Sequence, residues 1–288
     1  MKAAQFRYHF PSTVDEAVAT LAEVAPLDGR VLAGGQSLVP IMAFRLSRPS
    51  HLIDINGIAE LNRIAVQDGK LCIGACVRHA AFARPVVEGV IGVLLSKVVN
   101  FIAHYPIRTR GTFCGSIAHA DPSSEWCTVS VALGAEMVVQ SVRGQRVISA
   151  GDFFAGMMTT CLLEDELLVE VRLPLLSPDT QFGFDEFSRR TGDFALAMAL
   201  ITYRIDEGRI VAPRIAVGGA EPHPRRILIA EQALEGQRPG PESFGIAANQ
   251  AASAIEPMED VQTSRDYRRA LVRHMTQSAL ERSLAGDA

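Results

Sequence analysis

The sequence predicts an α+β fold in two domains, and three observations support that prediction. Strand-like and helix-like segments mix through the first 176 residues. After the proline-containing stretch "LPLLSPDTQ", the chain shows strands first and then only helices. The glycine-rich segments "AGGQS" and "RTRGTFCGS" match neither the G-x-G-x-x-G pattern of Rossmann nicotinamide sites nor the P-loop pattern. This arrangement is typical of α+β domains, and we place the domain boundary near Ser177, between residues 1–176 and 177–288.

Hydrophobic spacing predicts the elements of the first domain. Thr13 and Glu16 have capping-box spacing, and Val14, Ala17 and the apolar residues after them recur at helical intervals. Short apolar runs predict strands. The further elements, in chain order, are strands in "GRVLAGG", "SHLIDING" and "GKLCIGAC", two helices broken near Pro85, a helix in "EWCTVSVALGA", a hairpin of "AEMVVQS" with "QRVISA", and a strand in "DELLVEVRLP".

The second domain begins with three predicted strands. They lie in "FGFDEFSRR", "ALAMALITYRID" and "RIVAPRIAVGG", and the turn "DEGR" joins the last two. After "EPHPRR" the pattern is helical to the end of the chain. We therefore expect a three-stranded antiparallel sheet followed by helices.

Composition excludes several classes of protein. Hydrophobic residues make up 48% of the 288 residues, the net charge is -4, and no basic block suggests nucleic-acid binding. The opening residues show no secretion signal, and the longest apolar run is too short for a membrane span. Five cysteines without a C-x-x-C pair fit the reducing cytoplasm. We interpret Cys72 and Cys76 as buried thiols rather than metal ligands.

Two glycine loops are the candidate binding elements. In "AGGQS", Gly34 and Gly35 follow a strand and precede an apolar segment, an order that suits a phosphate, although a tight turn also explains it. In "RTRGTFCGSIAHADPSSE", Gly111 and Gly115 stand beside hydroxyl residues and follow two arginines. Two such loops can hold the two phosphates of a dinucleotide from opposite sides.

Other polar residues carry weaker signals. His104 and His119 flank the second loop, where each is either a structural histidine or a group that tunes a cofactor. His119 and Asp121 are too few ligands for zinc, so we expect no metal site. No acid pair and no Ser-His-Asp pattern stands out, which argues against a hydrolase and leaves no candidate catalytic residue.

These motifs resemble a known family. "AGGQSLVPIMAFRL", "IRTRGTFCGSIAHADPSSE" and "RRTGDFALAMA" occur in the order seen in the FAD-binding medium subunit of molybdenum hydroxylases. That family includes xanthine dehydrogenase, the molybdenum-type carbon monoxide dehydrogenase and quinoline oxidoreductase. The resemblance implies a two-part FAD-binding domain of the PCMH/vanillyl-alcohol-oxidase type, with lobes at about 1–56 and 57–176, then a carbon monoxide dehydrogenase flavoprotein-like C-terminal domain.

The resemblance also implies the residues that bind FAD. The first loop would contact the diphosphate and adenosine, the second the phosphate and ribityl region, while Ile102 and Phe194 would cover the flavin ring. Glu125 would accept a hydrogen bond from the cofactor or serve only as a first-turn carboxylate, and Asp193 would orient the ring or start a strand. The implied set is Leu32, Ala33, Gly34, Gly35, Gln36, Ser37, Leu38, Ile102, Thr112, Gly115, Ser116, Glu125, Asp193 and Phe194.

The second loop departs from the family pattern. Relatives usually read G-T-[IL]-G-G-[SN], whereas Phe113 and Cys114 replace the aliphatic residue and a glycine here. Thr109 stands where many relatives carry Asn. A positive φ at Cys114 would cost about 1 kcal/mol or more, and its thiol is either reactive beside the flavin or buried and inert.

The resemblance implies a subunit without substrate chemistry of its own. Electrons would pass from two [2Fe–2S] clusters in a small iron–sulfur subunit, through FAD, to an external acceptor. A large subunit would carry molybdenum–pterin, and a cytoplasmic dimer of heterotrimers would form. The alternatives are a structural or assembly subunit with a degraded flavin site, suggested by Phe113 and Cys114, and a free-standing flavin oxidase.

Overall fold

The computed structural model describes residues 2–261 and 263–285, in which strands form three sheets and a small hairpin. The strands are β1 (Arg7–His9), β2 (Gly29–Leu32), β3 (His51–Asp54), β4 (Ile64–Gln67), β5 (Lys70–Gly74), β6 (Glu136–Ser141), β7 (Gly144–Ser149), β8 (Phe154–Gly156), β9 (Thr159–Thr160), β10 (Leu167–Pro174), β11 (Gln181–Phe187), β12 (Ala197–Asp206), β13 (Arg209–Gly218) and β14 (Arg225–Arg226).

Helices connect and cover these sheets. The α-helices are α1 (Val14–Val24), α2 (Leu38–Ala43), α3 (Val90–Val98), α4 (Tyr105–Arg108), α5 (Phe113–His119), α6 (Glu125–Leu133), α7 (Ala150–Phe153), α8 (Leu228–Leu234), α9 (Pro241–Ala254) and α10 (Arg265–Ala285). Short 3-10 helices lie at Ala25–Leu27, Ile55–Gly57, Ala59–Asn62 and His79–Ala83. None of the helices in the described part of the chain has the length and apolarity that a bilayer crossing requires.

The first sheet is parallel, with strand order β1-β3-β2. Helix α1 begins as its capping residue predicts, since Thr13 Oγ1 accepts a hydrogen bond from the Glu16 N–H at 3.1 Å. The apolar face of α1 is buried against this sheet. Strands β2 and β3 end at the paired residues Leu32 and Asp54. The first glycine loop therefore begins at the carboxyl end of β2, beside the carboxyl end of β3.

The second sheet is antiparallel, with strand order β4-β5-β10-β6-β7. Helices α5 and α6 pack against β10. Every α6 residue after Glu125 is buried, because this helix lies between the second sheet and strands β12 and β13 of the third. Residue Glu125, at the start of α6, therefore stands where the two parts of the chain meet.

The α+β fold class is confirmed, with one correction to the third sheet. Three long strands form as predicted, but the sheet has four strands in the order β11-β12-β13-β14. The fourth lies within "EPHPRR", where Arg225 and Arg226 pair with Val217 and Ala216. A two-residue edge strand has too few residues to show an alternating pattern, so only its pairing defines it.

Other elements also differ from the sequence predictions. The segment before Pro85 forms a 3-10 helix over His79–Ala83 rather than an α-helix, and only α3 follows the proline. The short edge strands β1 and β4 and the hairpin β8–β9 were not predicted. Part of the second glycine loop is helix α5, capped by Thr112. These short elements depend on tertiary contacts more than on local periodicity.

Candidate functional site

A cavity of about 720 Å³ lies between the two glycine loops and the segment that precedes β12. All fourteen residues that the family resemblance implies bind FAD line this one cavity. They come from both predicted domains, with the loop after β2 at one place and Asp193 and Phe194 at another. The size is within the range of small-molecule and cofactor sites.

The two glycine loops touch each other in the wall of this cavity. A Cβ atom added to Gly34 would collide with the carbonyl oxygen of Arg110 and lie 2.7 Å from the Cα of Gly111. Gly35 has φ of +71°, a conformation that L-residues rarely adopt. The two adjacent glycines are therefore needed for different purposes. Gly34 permits the close contact between the loops, and Gly35 permits the turn.

A polar network fixes the two loops relative to each other. The Arg78 guanidinium donates to the carbonyl oxygen of Arg110 and, at 2.6 Å, to the side-chain oxygen of Asn56. The Asn56 amide in turn donates to the carbonyl oxygen of Ala33 at 2.8 Å. Asp54 accepts from the backbone N–H of Asn56 at 2.9 Å. Arg78 and Asn56 thus join one loop to the other, and sequence analysis identified neither residue.

Backbone donors in the first loop are available to a ligand. None of the residues that the structure describes accepts a hydrogen bond from the N–H groups of Gly35, Gln36 or Ser37. Unpaired N–H groups in such a turn make a concave anion site. The Gln36 side-chain amide folds back to the Gly34 carbonyl oxygen at 3.2 Å, which keeps the loop compact.

The second loop is ordered by its own hydroxyl cap. Thr112 Oγ1 accepts a hydrogen bond from the Gly115 N–H at 3.1 Å and so begins helix α5. A Cβ atom on Gly115 would crowd this oxygen and would lie 3.9 Å from the Cβ of Ala33. Gly115 therefore lets the cap form and faces the first loop. Ser116, one residue further along the helix, lines the same cavity.

A buried histidine, His79, packs against the second loop. His79 is 4% exposed, and its Nδ1 accepts a hydrogen bond from Trp126 Nε1–H at 2.9 Å, which places the ring proton on Nε2. Burial, together with the charges of Arg108 and Arg78, lowers the pKa of His79 to about 4, so the ring is neutral. A Cβ on Gly111 would lie 2.6 Å from its Nε2.

Sequence analysis singled out His104 and His119 and missed His79. All three line the cavity. The pairing of His79 with Trp126 spans 47 positions, so no local spacing could have revealed it. The one local feature of His79 in the sequence is its position next to Arg78, shortly after the strand predicted in "GKLCIGAC".

Carboxyl groups line the cavity near the start of α6. Asp121 and Glu125 both line it, together with Ser124, whose buried Oγ has no hydrogen-bond partner among the described residues. Desolvation, followed by the negative charge of Asp121, raises the pKa of Glu125 to about 7. Glu125 is the first residue of α6, so both of its predicted roles remain compatible with its position.

The segment between β11 and β12 closes the cavity on this side. Ser123 Oγ donates to the Ala195 carbonyl oxygen at 2.8 Å, which ties that segment to the loop before α6. Phe194 is 76% exposed at the cavity edge, and Ile102 is buried in its lining. Strand β12 begins at Ala197, so the prediction that Asp193 starts a strand is wrong. Gly192, with φ of +85°, approaches the His104 ring closely.

Cys114 occupies a helical position without strain. It lies in the first turn of α5, and it is absent from the described non-glycine residues with positive φ. Its Sγ donates to the Ile73 carbonyl oxygen at 3.4 Å, and complete burial raises the pKa of the thiol well above its usual value. The inert interpretation of Cys114 is therefore the one that its surroundings support.

The arrangement fits a dinucleotide and offers no metal centre within the described residues. The fit rests on the cleft between two glycine loops, the free N–H groups of the first loop and the polar groups at the far end of the cavity. Within residues 2–261 and 263–285, no group of three or more His, Cys, Asp or Glu side chains could hold a metal ion.

Comparisons with known proteins find matches that cover nearly the whole chain. Residues 4–176 match the family described as "FAD binding domain in molybdopterin dehydrogenase", and residues 182–283 match "CO dehydrogenase flavoprotein C-terminal domain". The nicotine 6-hydroxylase medium subunit of Paenarthrobacter nicotinovorans is 36% identical over 96% of each chain.

Two solved structures have the same fold. A chain of carbon monoxide dehydrogenase from Hydrogenophaga pseudoflava superposes with a TM-score of 0.94 at 36% identity, covering 99% of each chain. A chain of quinoline 2-oxidoreductase from Pseudomonas putida 86 gives 0.92 at 37% identity, again over 99% of each chain. The similarity therefore includes both predicted domains and the segments that line the cavity.

Proposed function

The chain belongs to the FAD-binding medium subunits of the molybdenum hydroxylases, and from this premise we propose that it passes electrons from a partner's [2Fe–2S] clusters through FAD to an external acceptor. The chain is thus a subunit of an oxidoreductase and carries the FAD-binding domain of that family. The observation that carries the proposal is the single cavity that brings together both glycine loops and the ring-covering residues.

Each part of the cavity has a proposed task. The N–H groups of Gly35, Gln36 and Ser37 would bind the FAD diphosphate, and the loop of Thr112, Gly115 and Ser116 would hold its other side. Arg78 and Asn56 keep the two loops at a fixed separation, so little conformational entropy is lost when the cofactor binds. A preorganised site of this kind favours tight binding.

The far end of the cavity would receive the flavin ring. Ile102 and Phe194 would cover the ring, Asp193 would orient it, and Glu125 would accept a hydrogen bond from the cofactor. Flavin supplies the exchange of one or two electrons, while the chain binds it, orients it and controls access of water. Phe194 is exposed at the cavity edge, and we propose that the external electron acceptor approaches the ring from that side.

The proposed partners follow from the family. We expect a large subunit with molybdenum–pterin and a small subunit with two [2Fe–2S] clusters, assembled as a dimer of heterotrimers in the cytoplasm. The relatives are named for different small molecules, nicotine and carbon monoxide among them. The substrate would be oxidised at the partner's molybdenum, so its identity depends on the large subunit.

The test is isolation of the native complex with this chain tagged. The proposal predicts a flavin absorption spectrum, co-purification of molybdenum and iron, and reduction of the flavin by an N-heterocycle, an aldehyde or carbon monoxide. A purified chain without flavin would favour the structural subunit, and flavin without molybdenum and iron would favour a free-standing oxidase. If a complex loaded with flavin, molybdenum and iron shows no flavin reduction by any of these substrates, the result would contradict the proposed electron relay.

A further inference from the structure

A second cavity, of about 490 Å³, adjoins the proposed FAD site. It is lined by Asn100, Phe101 and residues 186–192, which run from the end of strand β11 into the connection to β12. Gly192 lines both cavities, and Phe194, two residues later, lines the first. The second cavity therefore lies next to the segment from whose side the electron acceptor is proposed to approach.

Two adjacent arginines in this lining have no partner for their charge. Arg189 and Arg190 are exposed, and neither guanidinium donates a hydrogen bond to, or forms an ion pair with, any residue that the structure describes. The two adjacent arginines of strand β14, by contrast, each pair with a glutamate, at N–O distances of 2.7 and 2.6 Å. The charges of Arg189 and Arg190 are therefore available to a ligand.

The backbone that carries the two arginines is held in place. Ser188 Oγ donates a hydrogen bond to the Arg190 carbonyl oxygen at 2.9 Å, and the Asp193 N–H donates to the same oxygen at 3.0 Å. Gly192 has φ of +85°, which glycine adopts without strain. Because these contacts use only the backbone of Arg190, the turn is fixed while the guanidinium groups remain free to bind.

The one acidic side chain among the described residues of this lining is neutral at pH 7. Glu186 Oε2 is buried and has no hydrogen-bond partner in the described part of the chain, and an unpaired buried carboxylate is costly unless it holds a proton. Desolvation, followed by the charges of Glu125 and Asp185, raises the pKa of Glu186 to about 9. The lining therefore carries the positive charge of two arginines without a carboxylate that cancels it.

Anionic groups are the ligands that such a lining recognises. Guanidinium groups match phosphate and carboxylate oxygens through paired hydrogen bonds. The hydroxyl of Thr191, which is also exposed, follows Arg190 as a further donor. A cavity of about 490 Å³ is within the range of small-molecule sites. The lining therefore fits a small molecule that carries a phosphate or carboxylate group.

We propose that the second cavity binds an anionic group of the external electron acceptor and so holds the acceptor beside the FAD cavity. The inference rests on the proposed function, since it requires FAD in the first cavity. Arg189, Arg190 and Thr191 bind and orient the acceptor and transfer nothing themselves. For each substrate molecule oxidised, two electrons pass to one two-electron acceptor or to two one-electron acceptors in turn, and the accompanying protons go to the acceptor or to water.

The first experiment measures anion binding to the FAD-loaded full-length chain, in which the cofactor fills the first cavity. Pyrophosphate is titrated by calorimetry at constant ionic strength. We expect one binding site, and at least about tenfold weaker binding after the double substitution Arg189→Gln/Arg190→Gln. Thr191→Val removes a hydroxyl but no charge and should weaken binding about threefold. Arg273→Gln, at an exposed position of α10, is the matched control and should bind pyrophosphate as the wild type does.

The second experiment asks whether the bound anion is the electron acceptor. The photoreduced, FAD-loaded chain is mixed without oxygen with ferricyanide, a trianion, or with an uncharged benzoquinone. With ferricyanide the rate of flavin oxidation should saturate, and pyrophosphate should compete at constant ionic strength. The double variant should react at least about tenfold more slowly at low ferricyanide concentration, whereas its rate with the quinone should stay within about twofold of the wild type.

Attraction by net charge without a binding site gives a different pattern. The double variant would then slow the reaction with ferricyanide, but the wild-type rate would not saturate and Thr191→Val would have no effect. That pattern overturns the site, as does a wild-type chain that binds no pyrophosphate or a double variant that binds it equally well. A chain that takes up no FAD, or whose reduced flavin neither acceptor oxidises, overturns the proposed function instead.

Discussion

Gly34 is the residue on which contact between the two loops depends most directly. Any side chain there meets the backbone of Arg110 and Gly111, which has little room to move because Arg78 holds it. The neighbouring Gly35 is needed for its positive φ instead. The two glycines of one pair therefore make separate, testable contributions.

Substitution Gly34→Ala should push the two loops apart and weaken FAD binding by at least about tenfold, roughly 1.4 kcal/mol. The measurement is the dissociation constant of FAD for the apo-chain, by quenching of flavin fluorescence. Gly245→Ala is the control, because a Cβ there meets open space on helix α9. It should leave FAD binding unchanged, and equal affinity in both variants would argue against loop contact as the reason for Gly34.

His79 predicts a pH dependence of stability. Its pKa is lowered to about 4 in the folded chain, against about 6.5 when unfolded. The unfolded chain therefore binds a proton first as the pH falls, so the contribution is complete above about 6.5 and is lost towards 4. It amounts to about 3 kcal/mol. The difference in free energy of unfolding between wild type and His79→Gln should shrink by about this amount from pH 7 to 4; a constant difference would contradict the assignment.

The cysteines should differ in reactivity. Cys72, Cys76, Cys114 and Cys127 are buried, whereas Cys161 is half-buried. Burial raises the pKa of the Cys114 thiol well above its usual value, which reduces the reactive thiolate. We expect Ellman's reagent at pH 8 to modify only Cys161 in the folded chain and all five thiols in denaturant. Modification of Cys114 in the folded state, detected by peptide mass spectrometry, would revive the reactive interpretation.

At the scale of elements, Arg78 joins the 3-10 helix of His79–Ala83 to both loops. Arg78→Met removes the donors that reach Arg110 and Asn56 while keeping much of the side-chain length. We expect FAD affinity to fall about tenfold, since each lost charged hydrogen bond is worth about 1.5–3 kcal/mol before relaxation. Arg84→Met, at an exposed position nearby, is the control. Equal dissociation constants for the two variants would show that the network does not order the loops.

Sequence patterns predicted the elements that carry their own local signal. Helix α1 has a cap and an apolar face, and β12 is a long buried strand, so both were predicted. Strand β14 has two residues and exists through its pairing with β13. The 3-10 helix at His79–Ala83 replaced a predicted α-helix because helical composition does not distinguish the two over five residues.

The candidate site was predictable only in part. The glycine loops could be read from the chain, and the family resemblance supplied distant residues such as Ile102 and Phe194. Arg78 and His79 could not be predicted, because their roles depend on partners far away in the sequence, Arg110 and Trp126. Such pairings arise from the tertiary fold and leave no spacing in the sequence.

At the scale of the whole molecule, the buried helix α6 joins the two parts of the chain. Its first residue lines the FAD cavity, and Arg214 of β13 donates to the carbonyl oxygen of Leu133 at its end, at 2.8 Å. The Ser123 bond to Ala195 adds a second tie. The cavity therefore depends on both predicted domains, and neither would form the complete site alone.

The most direct measurement is an experimental structure of the full-length chain with FAD bound. The account predicts density for the two phosphates between residues 33–37 and 111–116, with the ring between Ile102 and Phe194 and its edge near Glu125. A cofactor whose phosphates lie outside that cleft, or whose ring lies away from Ile102 and Phe194, would contradict the account.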